Sequence, residues 1–123
     1  MILVVDDNRQ NVFSLLQLLE MNGFTADAAY SGEEALTKLD GEIEPQLIVI
    51  LSDINMPGMD GLTLLRRIKS RRPELPVMMV TAYGDEERRR LAGEYGAAEF
   101  VTKPVDFDLL KAQLRQLPSA AAD

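Results

Sequence analysis

At positions 47–53 the sequence reads LIVILSD, an apolar run from Leu47 to Leu51 that Asp53 closes. Continuous apolar runs of about four to eight residues are typical of strands buried on both faces of a parallel sheet. Three further runs each lead to polar or charged residues: Ile2 to Val5 before Asp6 and Asp7, Val77 to Val80 before Thr81, and Ala97 to Val101 before Lys103 and Pro104. If these runs are neighbouring parallel strands, their polar ends share one edge of the sheet, where open α/β sheets bind ligands.

Amphipathic segments separate the runs and predict helices. The first segment carries an apolar stripe at helical spacing, and polar caps or glycine mark where the other helices start. The stripe consists of Val12, Leu15, Leu16 and Leu19, and Gly23 follows it as a stop. The later helices are predicted to start at Ser31, which has Glu34 three residues on, and at Gly61, Asp85 and Asp106. A second strand is predicted at Thr25 to Tyr30. The alternation predicts an α/β domain whose parallel sheet is covered by helices on both faces.

The composition of the chain excludes several classes of function. Its 123 residues, 46% of them hydrophobic, suit one domain with one core. A formal charge of −7 argues against binding to nucleic-acid backbones and favours a metal or a basic protein patch as the partner. The lack of cysteine fits a reducing compartment, and the lack of histidine excludes a Ser-His-Asp triad and His-ligated zinc. No signal peptide or membrane span is expected.

The segment after Asp85 has an unusual composition for a packed helix. Its centre reads EERRR at positions 86–90, and only Leu91, Ala92 and Tyr95 offer apolar contact. Weak packing of this kind predicts mobility. The arginine run is either a solvated face with glutamate partners one turn away or an exposed face for a partner protein.

The carboxylates at the strand ends predict a cation site. Ionisation of Asp6, Asp7 and Asp53 side by side is unfavourable without a cation, because neighbouring negative charges raise one another's pKa. A site of oxygen ligands with open positions suits Mg²⁺, which keeps waters and expects a phosphate oxygen to complete its octahedron.

The remaining strand-end groups complement a phosphate. Lys103 supplies a positive charge for a second phosphate oxygen. Thr81 and the backbone N–H of Ala82 are candidates to hold the third. The whole set suits a phosphoryl group in transfer, with an aspartate able to act as the nucleophile.

Single elements of this set have more ordinary interpretations. Asp6 and Asp7 alone are typical of a strand-end turn and helix cap. Residues 53–58 superficially resemble a calcium loop, but Pro57 replaces a ligand and Leu64 occupies the position of the bidentate glutamate. No glycine-rich nucleotide loop is present. The joint occurrence at successive strand ends is therefore what predicts a site.

Taken together, these residues resemble the motifs of the bacterial response-regulator receiver domain. The resemblance covers essentially the whole chain and rests on four elements in order: the Asp6-Asp7 pair, DINMPGMDG at 53–61, Thr81-Ala82 and Lys103-Pro104. The full set at these spacings is highly specific, whereas any single element would not be. The fold that the resemblance implies is a doubly wound, flavodoxin-like parallel sheet of five strands in the order 2-1-3-4-5, with five helices.

The resemblance implies a role for each acidic residue of the site. Asp53 would be the phosphoacceptor, attacking a phosphohistidine on a partner kinase to give an aspartyl phosphate. Asp7 and Asp53 would ligate Mg²⁺ directly, together with the backbone carbonyl of Asn55. Asp6 would act chiefly through a bound water.

The resemblance also implies the phosphoryl-binding and switch residues. Lys103 would bind a phosphoryl oxygen, and its peptide bond to Pro104 is expected to be cis. Thr81 would move toward the phosphoryl group on activation, and Phe100, at the position of the family's switch aromatic, would turn inward behind it. The signal would then reach a surface formed by the fourth helix, the fifth strand and the fifth helix.

Two features differ from the usual family pattern. Eight positions separate Pro45 from Asp53, a longer segment than is common, and the extra length is expected before Leu47. Ser52 precedes the acceptor where an apolar residue is commoner, so its hydroxyl needs a hydrogen-bond partner if it is buried.

Residues 1–117 are predicted to form the receiver domain, with 118–123 as a C-terminal tail or linker stub. The expected partners are a sensor histidine kinase or histidine phosphotransfer protein and an unidentified output protein, without nucleic-acid or membrane contact. The domain is expected in the cytoplasm, as a monomer or a weak phosphorylation-dependent dimer. Either the protein is a stand-alone receiver or the chain is part of a larger regulator or hybrid kinase.

Three functions remain open from the sequence. The leading one is a phosphoacceptor switch, rather than a turnover enzyme, that is phosphorylated on Asp53. The second is an interaction module of the same fold that acts without phosphorylation, and the complete acidic set counts against it. The third is a Mg²⁺-dependent phosphatase of the haloacid dehalogenase type. That family places Asp-x-Asp at its first strand end, whereas this chain has Asp6-Asp7-Asn8.

Overall fold

In the computed structural model, residues 1–41 and 47–117 are described, and they form five strands and five helices that alternate along the chain. In chain order the elements are β1 (Ile2–Val5), α1 (Arg9–Met21), β2 (Ala26–Ala29), α2 (Gly32–Asp40), β3 (Val49–Asp53), α3 (Gly61–Arg71), β4 (Val77–Thr81), α4 (Glu86–Glu94), β5 (Glu99–Thr102) and α5 (Phe107–Gln116). The strands pair in parallel in the order β2-β1-β3-β4-β5. The predicted fold and strand order are confirmed.

Two strands extend further toward the polar residues than the apolar runs indicate. β3 begins at Val49 rather than Leu47 and continues to Asp53, and β4 continues to Thr81. The acceptor candidate and the hydroxyl are therefore the last residues of their strands. Asp53 pairs with Val80 of the neighbouring strand and Thr81 pairs with Thr102, which restricts where the two side chains can point.

Helices cover both faces of the sheet, so the core has two layers. Alternate residues of β1 belong to different layers, because successive side chains of a strand point to opposite faces. Leu3 and Val5 pack with residues of α2, α3 and α4, whereas Ile2 and Val4 pack with α1 and α5. Burial on both faces explains why the strands are continuous apolar runs. Each fully buried aliphatic side chain contributes about 1.5–3 kcal/mol.

Four helices begin at a polar residue whose side chain accepts hydrogen bonds from the first turn. These caps are Asn8, Ser31, Asp60 and Asp106. Because Asn8 caps α1, the interpretation of Asp6 and Asp7 as the helix cap is wrong. Asp6 instead accepts a hydrogen bond from the Asn8 N–H at 3.0 Å. At α4 the N-cap residue is Asp85, and its side chain makes no cap hydrogen bond.

Gly61 allows α3 to begin directly against the end of β3. A Cβ atom at this position would lie 2.4 Å from the carbonyl oxygen of Asp53 and 2.6 Å from the Cα atom of Ile54. The Gly61 N–H donates a 3.0 Å hydrogen bond to the Ile54 carbonyl. A side chain would push backbone against backbone, so glycine is needed where α3 supports the strand end.

The helix α4 buries little of its surface. Ala92 is its one fully buried residue. Arg90 pairs with both Glu87 and Glu94, one turn away on either side, as the solvated-face interpretation predicts. The expected weak packing is therefore confirmed, while its mobility stays a prediction.

Two predicted features lie outside the described residues. The extra length expected before Leu47 falls on residues 42–46, and the predicted tail is 118–123. Within the described ranges, no helix has both the length and the apolar character needed to cross a bilayer.

Candidate functional site

Polar side chains from four strands meet at the carboxyl edge of the sheet. They are Asp6 after β1, Asp53 at the end of β3, Thr81 at the end of β4 and Lys103 after β5, which are consecutive strands in the sheet order. The Lys103 N–H donates a 2.7 Å hydrogen bond to the Thr81 carbonyl, which ties the last two strand ends together. This edge is where open parallel sheets bind ligands.

Three carboxylates form one cluster at this edge. Asp6, Asp7 and Asp53 each offer an oxygen, and these oxygens all lie within 4.8 Å of one another. Asp6 and Asp53 are only 8% and 5% exposed, whereas Asp7 is exposed. Burial has the largest effect on the pKa of Asp6 and raises it. Of the neighbouring groups, the Asn8 N–H and Lys103 lower this pKa, whereas Asp53 and Asp7 raise it. The pKa of Asp6 is therefore raised mainly because the carboxyl group is buried, and the neighbouring carboxylates Asp53 and Asp7 add to the increase.

The Asp53 carboxylate is held from two sides. Its Oδ2 atom accepts a hydrogen bond from the Lys103 ammonium at 3.1 Å, and Oδ1 accepts one from the Asn55 N–H at 3.3 Å. The peptide bond between Lys103 and Pro104 is cis, as expected from the sequence. The cation offsets part of the cost of burying the acidic group.

The hydroxyl of Ser52, which is unusual at its position in the sequence, is buried next to the acceptor candidate. It donates a 3.0 Å hydrogen bond to the carbonyl oxygen of Asp53. The partner that a buried hydroxyl requires is therefore supplied by the strand end itself.

Thr81 and Ala82 lie where the sequence places them, but the N–H of Ala82 has a partner. Thr81 is buried, and the Ala82 N–H donates a 2.7 Å hydrogen bond to Oδ2 of Asp85. The Asn55 side-chain amide donates to both Asp85 oxygens, at 3.2 and 3.1 Å. The sequence predicted Asp85 only as a helix start and missed this contact. The sequence did contain a signal for it, because Asp85 follows Ala82 by three residues and its carboxylate can reach back to that N–H.

The proposed switch aromatic is half-buried at the edge of the core. Phe100 packs against the layer that contains α4, and the Arg89 guanidinium lies 4.7 Å from the centre of its ring. The Gln113 side-chain amide donates a 3.0 Å hydrogen bond to the Phe100 carbonyl, which links β5 to α5. Residues of α4 and α5 therefore both contact Phe100 of β5, Arg89 at its ring and Gln113 at its backbone carbonyl.

A cavity of about 290 Å³ opens beside the carboxylates. Asp6, Asp53 and Lys103 contribute to its lining, together with apolar residues from α1 and from the segment after β5. The apolar residues that line it include Leu15, Leu18, Pro104 and Val105. The cavity thus has both polar and apolar lining residues.

Comparison with known proteins agrees with this geometry. The family model described as the response regulator receiver domain matches residues 2–115. The chain belongs to the response-regulator receiver family. Receiver domains are phosphoacceptor signalling domains of two-component systems rather than turnover enzymes, and a role in a phosphorelay follows from this membership.

Individual curated relatives are much longer than this chain. The C4-dicarboxylate transport transcriptional regulatory protein DctD of Rhizobium meliloti is 37% identical over 115 residues, covering 94% of this chain and 24% of that protein. The DNA-binding transcriptional regulator NtrC of Salmonella typhimurium is 41% identical over 105 residues, covering 85% and 22%. The chain therefore spans less than a quarter of the length of these curated relatives.

A solved receiver domain supports the same assignment. The crystal structure of the receiver domain of NtrX from Brucella abortus matches with a TM-score of 0.85 and 32% sequence identity. The match covers 94% of this chain and 95% of that domain. The backbone of this chain is therefore similar to that solved receiver domain over nearly its full length.

Proposed function

We propose that the receiver domain accepts a phosphoryl group on Asp53 and thereby switches a protein-binding surface. The observation that carries the proposal is the surroundings of Asp53. Its carboxylate ends a central strand, borders the cavity, and lies between the Lys103 ammonium and the acidic pair Asp6-Asp7. A carboxylate positioned next to a cation and a candidate metal site is equipped to act as a nucleophile toward phosphorus.

The donor set fits Mg²⁺. Its ligand atoms are oxygens, and the cluster carries enough negative charge to favour a divalent cation. We assign the side chains of Asp7 and Asp53 and the backbone carbonyl of Asn55 as direct ligands, and Asp6 as support through a water. The ion, when bound, supplies positive charge to the phosphoryl oxygens.

The chain's own residues account for the phosphoryl transfer. An Asp53 carboxylate oxygen forms a bond to phosphorus while the bond from phosphorus to the donor nitrogen breaks, and that electron pair returns to the donor imidazole. Lys103 donates to one phosphoryl oxygen, and the Thr81 hydroxyl and the Ala82 N–H serve the others. The sequence contains no histidine, so the donor imidazole lies outside it.

A sensor histidine kinase or a histidine phosphotransfer protein is the partner that this reaction requires. Leu15 and Leu18 of α1 and Val105 line the cavity, and we propose them as the apolar rim that such a partner contacts. Burial of apolar side chains on this rim would bring the donor imidazole toward Asp53 and exclude water from the transfer.

The switch is proposed to run from Thr81 to Phe100. Thr81 moves toward the phosphoryl group, and Phe100 turns inward behind it. Support comes from the small buried area of α4 and from the half-buried position of Phe100 beneath Arg89. An output protein, not yet identified, would bind the surface formed by α4, β5 and α5.

The proposal assigns residues 1–117 to the receiver domain and 118–123 to a tail or linker stub. The domain would act in the cytoplasm, as a monomer or a weak phosphorylation-dependent dimer, without contacting nucleic acid itself. The lack of cysteine fits a reducing compartment, and the formal charge of −7 disfavours contact with nucleic-acid backbones.

The test is chemical modification of the whole chain. We expect Mg²⁺ with a small acyl phosphate such as acetyl phosphate to add one phosphoryl group, measured by intact-mass spectrometry. Asp53→Asn should abolish the adduct, whereas Asp106→Asn, which alters a helix cap away from the cluster, should retain it. An unmodified wild-type protein, or an undiminished adduct on Asp53→Asn, would contradict the proposal.

A further inference from the structure

The Asp85 carboxylate is hydrogen-bonded to a backbone N–H group that the proposed phosphoryl site requires. The Ala82 N–H, proposed to donate to a phosphoryl oxygen, donates instead to Asp85 Oδ2 at 2.7 Å. A carboxylate oxygen and a phosphoryl oxygen are both anionic acceptors, and one N–H cannot serve both at full strength. The two anions therefore compete for the same donor.

Asp85 is also placed to make a different hydrogen bond. It is the N-cap residue of α4, and aspartate is among the residues preferred there, because its side chain can accept from the first free N–H groups of the helix. The caps Ser31, Asp60 and Asp106 make that bond in their own helices, but the Asp85 side chain does not. Its carboxylate points back to the end of β4 instead.

A second set of contacts holds the carboxylate away from its helix. The Asn55 side-chain amide donates to both Asp85 oxygens, and Asn55 Oδ1 accepts a 2.6 Å hydrogen bond from Arg88. Arg88 also lies 3.8 Å from an Asp60 oxygen. The contacts join the loop after β3, which carries the proposed Mg²⁺ ligand carbonyl, to the first turn of α4.

We propose that Asp85 is a positioning residue that keeps the Ala82 N–H occupied until Asp53 is phosphorylated. The phosphoryl group takes over that N–H, and the released carboxylate then caps α4 by accepting from the N–H of Glu87 or Arg88. One exchange of hydrogen-bond partners thus couples the site to the N-terminus of α4. This role of Asp85 rests on the proposed phosphorylation. It makes the Asp85 carboxylate a competitor of the phosphoryl group for the Ala82 N–H and a link between the site and α4.

The first test compares rates of phosphorylation on the full chain. Asp85→Asn leaves a neutral and weaker acceptor, so modification of Asp53 by acetyl phosphate with Mg²⁺ should become about fivefold faster, equivalent to about 1 kcal/mol. Glu86→Gln removes one negative charge at the next position and serves as the matched control. Its rate should stay within about twofold of wild type, since general repulsion is weak at an exposed site. Equal rates for Asp85→Asn and Glu86→Gln would overturn the inference.

The second test uses the wild-type protein, so it does not depend on a variant that folds. We expect beryllium fluoride with Mg²⁺, a phosphoryl mimic, to shift the side-chain carboxyl resonance of Asp85 and to slow hydrogen exchange at the Glu87 or Arg88 amide. If Asp53 binds the mimic while Asp85 and the first turn of α4 stay unchanged, the role of Asp85 is wrong and the proposed function stands. If wild type is not modified by acetyl phosphate at all, the proposed function fails first.

Discussion

The Lys103 ammonium lies 3.1 Å from the Asp53 carboxylate, although the two residues are fifty positions apart in the chain. The pair bridges the ends of β5 and β3 across the intervening strand β4. The carboxylate is buried and the lysine side chain is about one-third exposed. Partial solvation limits what the pair adds to stability, so we interpret its main role as placing a cation where phosphoryl oxygens arrive.

Lys103→Gln should therefore affect phosphorylation more than folding. Removing one donor to a developing negative charge typically costs about 100-fold or more in rate, and we expect that loss in modification of Asp53 by acetyl phosphate. Lys111→Gln, which removes the ammonium that pairs with Asp108 on α5, is the control and should label at the wild-type rate. A labelling rate for Lys103→Gln close to that of Lys111→Gln would remove Lys103 from the phosphoryl site.

Neutralising Asp7 should stabilise the metal-free protein. Its charge contributes to the crowding that raises the pKa of Asp6, and Asp7→Asn relieves that repulsion. Because Asp7 is exposed, we expect a gain of about 0.5 kcal/mol or less in urea denaturation with chelator present. We expect Mg²⁺ to stabilise wild type by binding the folded state, and it should no longer raise the stability of the variant. A metal-free Asp7→Asn protein that unfolds more easily than wild type would show that the crowding is unimportant.

Gly61→Ala should destabilise the fold and disturb the acceptor. The added methyl group would overlap the backbone of Asp53 and Ile54, so α3 must move, at a cost of about 1–3 kcal/mol in the free energy of unfolding. Gly93→Ala is the matched control, because its Cβ would lie 3.9 Å from Phe100, an ordinary contact, within α4. Higher helix propensity should make this control more stable by up to about 1 kcal/mol. If Gly61→Ala and Gly93→Ala changed the free energy of unfolding in the same direction, this explanation would be contradicted.

The Asp27–Lys38 pair predicts a dependence of stability on pH. Burial alone would raise the pKa of Asp27, but hydrogen bonds from the Ala28 N–H and from Lys38, with the lysine charge, lower it below its ordinary value of 3.8. A lowered pKa in the folded state means that the unfolded chain binds more protons in this range. The stabilisation is therefore present above pH 3.8 and is lost as the pH falls through the lower, folded-state value.

Comparison of Asp27→Asn with wild type measures this contribution. The advantage of wild type in urea denaturation should be largest near neutral pH and should shrink as the pH falls below about 4. Asp40→Asn, which removes the partner of Arg71 at the end of α2, controls for the general loss of one surface charge. A wild-type advantage that grows toward acidic pH would have the wrong sign for this pair.

Much of the site could be predicted because strand ends are local features of the sequence. Each apolar run identifies a strand, and the residue that follows it must lie at the carboxyl edge of a parallel sheet. Asp6, Asp53, Thr81 and Lys103 could be placed together for this reason. The caps were less predictable, because Asn8 and the neighbouring Asp6 and Asp7 all suit a helix start. The three-dimensional path of the chain selected Asn8 for α1 and left the acidic pair for the cluster.

The sequence by itself determined the α/β fold, the strand order through its family motifs, and the set of chemical groups that reach the carboxyl edge. The fold class and the set of groups follow from periodicity and from the end of each strand, whereas the strand order is what the resemblance to the receiver family implies. Only the tertiary structure decided that the Ala82 N–H is already bonded to Asp85. That choice depends on Asn55, thirty positions earlier, whose amide holds the carboxylate away from its own helix. An aspartate at a helix N-cap can accept hydrogen bonds from several N–H groups at similar free energy. The packing of the loop after β3 against the loop after β4 selects among these donors.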